Sequence, residues 1–393
     1  MGETHHRRQR LAGILAACTV LGSVITAATV SGASSARHMP AQHPATARAV
    51  SLNVPAYQPP RVTPSSVNRD FYHCTLLDPK VTQASMIVGT NFSAGGPQVH
   101  HAILYLVYPN QVAQAKKLDR GGKGWSCFGA PNLNATASPI ANLGATPWLG
   151  AWSPGHGPDT EPAGTGVPLP AGSMIVMQIH YNTLVGCNSA GYSPTDHSSV
   201  TLQLAPAVGS GLKPLHIDLF AAPPDIPCPA AQQVPANPLC NRASSIRDLG
   251  KRFGQPTVNF VNILERICGR SATNPPPSSS TSCTWGIGPG IVRTASAHMH
   301  LLGAAMTVTL NPGTASAQTL LNVPAYNFDF QRVYTLSNPV TIHSGDRVQV
   351  TCTFNPAIRS LLPQTRQLAP RFITWGEGSS DEMCLAVLGV TSN

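Results

Sequence analysis

The sequence predicts an all-β chain: two tandem β-sandwich domains carrying a short helical, disulfide-tied insertion. Three observations lead there. Only 10% of residues are Asp, Glu, Lys or Arg, while Gly (34) and Pro (37) are abundant, against roughly 25% charged residues in an average soluble domain. Short runs rich in β-branched and aromatic residues recur between those turn formers. At 393 residues the chain is also longer than one hydrophobic core ordinarily supports.

Taken in order, Met1 to Arg10 is polar and basic, Leu11 to Val30 is apolar and small, and Ser34-Ser35-Ala36 offers small residues for cleavage. Residues 1–36 are therefore expected to be a signal peptide, giving a secreted, extracytoplasmic product. The paired arginine in RRQRL lacks the flanks of a twin-arginine signal. The lipoprotein-like box ending at Cys18 is followed by more apolar residues rather than polar ones, so cleavage near Ala36 is the expectation. Residues 37–66, rich in Pro, Ala and Ser, read as a linker or extended arm. No later stretch reaches the roughly 18 uninterrupted apolar residues of a membrane helix.

The N-terminal domain is expected over 67–208, with strands in SMIVGTNF, HHAILYLVY, SMIVMQIHYNT and SVTLQLAP. The C-terminal domain is expected over 209–393, with strands in IVRTASAHMHLLG, AMTVTLN, RVYTLSNPVTI, DRVQVTCTF and MCLAVLGV. The insertion, at about 225–285, contains Cys228, Cys240, Cys268 and Cys283. Its segment RASSIRDLGKRFGQPTVNFVNILERIC has helical spacing on either side of Gly254 and Pro256. Its expected role is to cover a sheet face or the seam between domains.

The formal charge is 25 − 16 = +9. Past Arg7, Arg8 and Arg10 the basic residues are scattered, so no basic stripe points to a nucleic-acid partner. Without Cys18, nine cysteines remain, and in an oxidising compartment most should be disulfide-bonded with one left over. No CxxC pair exists, which argues against a zinc ribbon or a thioredoxin-like site.

The residues that carry chemistry are histidines. His298 and His300, at i and i+2 on a strand, point to one face and can grip one ion. Met383 in SSDEMC is a candidate third ligand, because a thioether suits cuprous copper and is poorly matched to zinc, magnesium or calcium. His100 and His101 are adjacent and would face opposite ways on a regular strand, so a bulge or the use of different ring nitrogens is needed for them to share an ion. His180 lies inside another strand with Gln178 on the same face. Taken singly, His180 is as readily a satisfied core histidine, and Met383 core packing.

Together these motifs resemble the copper type II, ascorbate-dependent monooxygenases, the family of peptidylglycine α-hydroxylating monooxygenase and dopamine β-monooxygenase. The resemblance lies in the order VHHAIL, MQIHYN, AHMHLLG, SSDEMC between His100 and Cys384, with an aromatic stretch, GAWSPG, between the first two. It implies two jelly-roll domains and two coppers per chain. His100, His101 and His180 would hold an electron-storing copper, and His298, His300 and Met383 an oxygen-activating one, facing each other across a solvent-filled cleft. It further implies hydroxylation of a substrate C–H bond by dioxygen, with ascorbate or a similar reductant restoring both metals. A Cys352–Cys384 disulfide is implied, as is a Cys74–Cys187 disulfide, although the family's second cysteine aligns with His197. Cys127 then becomes the candidate unpaired thiol.

Where peptide-hydroxylating members clamp a substrate carboxylate with an arginine, an asparagine and a tyrosine, this chain has Ser296, Leu385 and Val387. A small-molecule substrate of low polarity is therefore expected, with Arg293 as the nearby cation that a shifted register would bring to the pocket. Alternatives are a purely structural envelope β-sandwich, a secreted copper-binding protein without turnover, and a zinc hydrolase built on histidine triads. No HExxH motif supports the latter.

Overall fold

A computed structural model describes residues 47–62, 69–133, 146–183 and 194–393. Residues 1–36, expected to be a signal peptide, and Cys187 lie outside the described residues. As expected, the chain is mostly strand. One long sheet runs in the order Arg48–Asn53, Ser199–Pro206, Ser85–Ser93, Thr165–Leu169, Lys213–Ala221, Cys384–Thr391, Gly290–Met299, Val333–Ile342. Its two halves are joined by a parallel pair, Lys213 opposite Thr165 and Pro214 opposite Gly166. Arg48–Asn53 falls in the stretch read as linker or arm. The alternation in RAVSLN turns Val50 and Leu52 toward a core, so the arm is captured as a strand against Ser199–Pro206.

Two smaller sheets cover the long one. A five-stranded sheet, ordered Trp125–Ser126, Asp70–Leu77, Met174–Asn182, Val99–Val107, Trp148–Trp152, packs on the first half of the long sheet. Between them Leu104, Met177, Ile179 and Tyr181 meet Ile87, Val200, Leu202 and Leu204 in one buried core. A four-stranded sheet, ordered Ser280–Gly286, Arg347–Phe354, Gly303–Leu310, Gln318–Val323, packs on the second half. Val292, Ala297, Met306, Val308, Val350 and Leu388 fill that second core. Each core is about one side-chain layer on either inner face, the usual construction of a β-sandwich.

Three α-helices are described: α1 (Val112–Asp119), α2 (Arg242–Phe253) and α3 (Gln255–Ile267). Asn241 caps α2 by accepting from the Ser244 N–H. Gly254, at φ 86°, ends α2 in a conformation that L side chains avoid, and Pro256 opens α3. Disulfides Cys228–Cys240 and Cys268–Cys283 tie this insertion down. Within it, Asp225 and Glu265 are buried against Arg242 and Arg270 at 2.6–3.2 Å. The helices do cover a sheet face: Leu249, Phe253, Phe260, Val261 and Leu264 pack with Ala221, Trp375, Met383 and Leu385.

Cys352–Cys384 is formed. Cys74, however, is bonded to Cys127, not to Cys187. The strand Trp125–Ser126 pairs antiparallel beside Asp70–Leu77, with Cys74 opposite Trp125, and this carries Cys127 to Cys74. Cys127 is therefore not the unpaired thiol. Among the described residues no helix is long and apolar enough to cross a membrane.

Candidate metal centre

The first histidine group is assembled by a β-bulge. The pairing of Val99–Val107 with Met174–Asn182 shifts register between Val99, opposite Tyr181, and His101, opposite His180. His100 is thus the extra residue, and the bulge removes the alternation that would have sent it to the opposite face. His100, His101 and His180 are all buried, and each offers a ring nitrogen within 4.8 Å of the others. Among the described residues this is the cluster of His, Cys, Asp and Glu side chains able to hold a metal.

The ring nitrogens are left for a ligand. Both nitrogens of His100, Nδ1 of His101 and Nδ1 of His180 are buried without a hydrogen-bond partner. Burial, reinforced by repulsion from neighbouring histidines, holds His100 and His101 well below the usual imidazole range. They are therefore neutral, the form that binds metal. His180 Nε2 donates to Asp70 Oδ1 at 2.9 Å, which fixes the tautomer and leaves Nδ1 as the lone-pair nitrogen. Tyr72 stacks on His180 at 4.3 Å and Phe328 on His100 at 4.1 Å, locking both ring planes.

The second group lies on the outer face of the long sheet. In the antiparallel pair of Gly290–Met299 with Cys384–Thr391, His298 is opposite Leu385 and Met299 opposite Cys384. One further step places Met383 opposite His300, on the face that also presents Ser296, Leu385 and Val387. His298 Nδ1 donates to Gln331 Oε1 at 2.7 Å, and both nitrogens of His300 are buried without a partner. Burial pushes His298 down to about 4 and His300 to about 3. The Glu382 carboxylate accepts the backbone N–H groups of His300, Leu302 and Met383, clamping the two segments to one another.

The two groups touch. The rings of His101 and His298 are 5.7 Å apart, and Phe328 stands between His100 and His300, 6.2 Å from the latter. This replaces the solvent-filled cleft implied by the resemblance: here the faces carrying the two groups close on one another. Beside them opens a cavity of about 620 Å³ into which His101, His298 and Met383 all face. Trp148, Trp152, Phe260 and Trp375 give it apolar walls, and Ser296, Leu385 and Val387 line it as well. Arg293 is not in the lining; it donates to Thr391 Oγ1 at 3.3 Å.

Residues 280–388 match the family model of the copper type II ascorbate-dependent monooxygenase, C-terminal domain. The resemblance carried by the motifs is thereby borne out over this segment, which is less than half of the chain. The segment so matched contains His298, His300, Met383 and the Cys352–Cys384 disulfide; the three-histidine group lies outside it. Among solved structures, an allantoicase is 11% identical, with 82% of this chain and 81% of that one covered and a TM-score of 0.18. The allantoicase of Saccharomyces cerevisiae is 9% identical, with coverages of 84% and 80% and a TM-score of 0.18. Oxalate decarboxylase of Bacillus subtilis is 8% identical, with coverages of 82% and 69% and a TM-score of 0.13. Likeness at that level carries no argument about fold or activity.

Several residues of this candidate site were not legible in the sequence. Asp70, Tyr72, Phe328, Gln331 and Glu377 come from loops or strands far from any histidine motif. Glu377 lines the cavity, where burial and the nearby Asp381 push its carboxyl up to about 7. No spacing rule links these positions to the histidines, because the pairing that joins them is tertiary.

Proposed function

We propose that the protein is a secreted copper-dependent monooxygenase. It would hydroxylate a C–H bond of a low-polarity small molecule, using dioxygen and an external reductant such as ascorbate. The observation that carries this reading is the set of six buried, unpartnered imidazole nitrogens beside one cavity, within a fold whose C-terminal segment matches that family. A buried neutral imidazole without a partner is costly unless a ligand completes it. The four disulfides fit an oxidising compartment.

The donor sets fit copper in both oxidation states: three imidazoles in one group, two imidazoles and a thioether in the other. Copper bound there would pass on electrons from the external reductant and supply the dioxygen chemistry. His100, His101 and His180 would hold one ion, and His298, His300 and Met383 the second. Gln331 orients His298 so that Nε2 is the free nitrogen, while Asp70 does the same for Nδ1 of His180. The aromatic cavity walls keep bulk water from the reacting carbon and hold an apolar substrate against Met383. Two coppers per chain are expected by metal analysis after loading and dialysis, falling to one in a His100→Ala/His101→Ala variant. A single copper that is insensitive to this double substitution would overturn the two-site reading. Copper binding without ascorbate-dependent oxygen uptake across a small substrate panel would favour the noncatalytic binder.

The cavity also bears on substrate choice. Ser296, Leu385 and Val387 cannot give a carboxylate the bidentate, charge-assisted contacts of a guanidinium. Arg332 reaches the lining but lies over the Phe330 ring, 4.4 Å from its centroid. Glycine-extended peptides are expected to be turned over at least about 10-fold less efficiently than neutral aromatic or aliphatic compounds, the loss from about 1.4 kcal/mol of missing contact. Efficient, carboxylate-dependent hydroxylation of such peptides would count against the proposal.

A further inference from the structure

The segment 376–383, which ends in Met383, is held from three sides. Its own turn closes through Asp381 N–H to Gly378 O at 2.8 Å and Gly376 N–H to Glu382 O at 3.1 Å. On one side, α2 packs so closely that a Cβ at Gly376 would stand 2.7 Å from Leu249 Cδ1 and 2.8 Å from Asp381. On the second, the Glu382 carboxylate ties the segment to the backbone of His300 and Leu302. On the third is Asp70, buried in the strand that also carries Tyr72.

Asp70 serves both histidine groups. Its Oδ1 accepts from His180 Nε2 at 2.9 Å and from Ser379 Oγ at 2.6 Å, and its Oδ2 accepts from Ser379 N–H at 2.9 Å. Asn182 Nδ2 adds a contact to Ser379 Oγ at 3.3 Å. An unbroken chain of short hydrogen bonds thus runs from His180 through Asp70 and Ser379 to the segment that positions Met383.

We propose that Asp70 is a positioning residue common to both metal centres, so that copper held at His100, His101 and His180 tightens copper binding at His298, His300 and Met383. The inference rests on the copper reading above. A metal on Nδ1 of an imidazole makes the opposite N–H a stronger donor and fixes the ring. Asp70 is then fixed as well, and Ser379 cannot leave without giving up two bonds to a buried carboxylate. The ordering of segment 376–383 is already met when the second ion arrives, which is positive coupling, and linkage makes it reciprocal.

The test is the Cu(I) affinity of the Met383 site, measured by competition with a chromophoric chelator, the site being identified by sulfur scattering in X-ray absorption. It is compared in the native protein and in the His100→Ala/His101→Ala variant. A ratio of about 5-fold or more in favour of the native background is expected, the lower end of measured coupling between sites. Ser379→Ala, which removes the hydroxyl bond and leaves the N–H bond to Asp70, should bring that ratio closer to one, and Ser379→Thr, which keeps the hydroxyl, should restore it. Asn182→Ala should give an intermediate ratio and replaces Ser379→Ala if the latter does not fold. Equal affinities in the native protein and the His100→Ala/His101→Ala variant, or a ratio untouched by these substitutions, would overturn the proposal. If the copper reading itself were wrong, His298→Ala/His300→Ala would leave copper binding unchanged, a result distinct from two bound coppers without coupling.

Discussion

Met383→Ala is expected to lower turnover by more than about 100-fold, the upper end of what loss of a merely supporting partner costs, while copper at His100, His101 and His180 is retained. Met383 is buried among Ala221, Leu249, Phe260 and Leu385, yet it also lines the cavity beside His298. A methionine that served only as packing would lose stability on truncation, about 2–5 kcal/mol for a buried large-to-small change, with turnover of the remaining folded protein intact. The two roles therefore separate experimentally. Rate per folded molecule and copper content are measured together, and substantial turnover with both coppers bound would assign Met383 to packing.

Arg252→Leu is expected to destabilise the protein by about 3–5 kcal/mol, the cost of stripping one partner from a buried ion pair. Arg252 donates to both oxygens of Asp381 at 2.6 and 2.7 Å, and to Asp248 at 2.9 Å. Burial pushes the Asp381 carboxyl up, but Arg252 and then Arg371 more than offset this and hold it below the usual carboxylate range. A folded-state value that is depressed means the pair's stabilisation is present above the unfolded value and is lost as pH falls through the folded one. Urea unfolding at neutral pH is thus the proper measurement. Arg371 stands 3.7 Å from Asp381 and compensates only in part. A loss below about 1 kcal/mol would show the pair to be no stronger than a surface salt bridge. Because Asp381 sits two residues before Met383, the insertion does more than cover a sheet: it anchors the segment that carries Met383.

Much of this was legible in the sequence, for a definite reason. Strand alternation is a local property, so His298 and His300 on one face, and the all-β architecture, follow from period two alone. The helices on either side of Gly254 and Pro256 follow from equally local backbone restrictions. That His100 and His101 need either a bulge or different ring nitrogens was also readable, since two adjacent residues of a regular strand cannot face one ion. The register that supplies the bulge, Val99 on Tyr181 and His101 on His180, is set by pairing across some 80 residues.

Everything that depends on such long-range pairing only the tertiary structure decided. Cys74 meets Cys127 because a two-residue strand docks beside it, and sequence spacing carries no trace of that. Asp70, Phe328 and Gln331 orient histidines 110, 228 and 33 positions away, the first and last through hydrogen bonds and the second by ring stacking. The near contact of the two histidine groups arises where the outer faces of two sheets meet over Phe328. The identity of the candidate ligands is thus written in single residues and local spacing. Ligand orientation, cavity shape and the link between the two groups come from hydrogen bonds and packing that exist only once both sandwiches are closed.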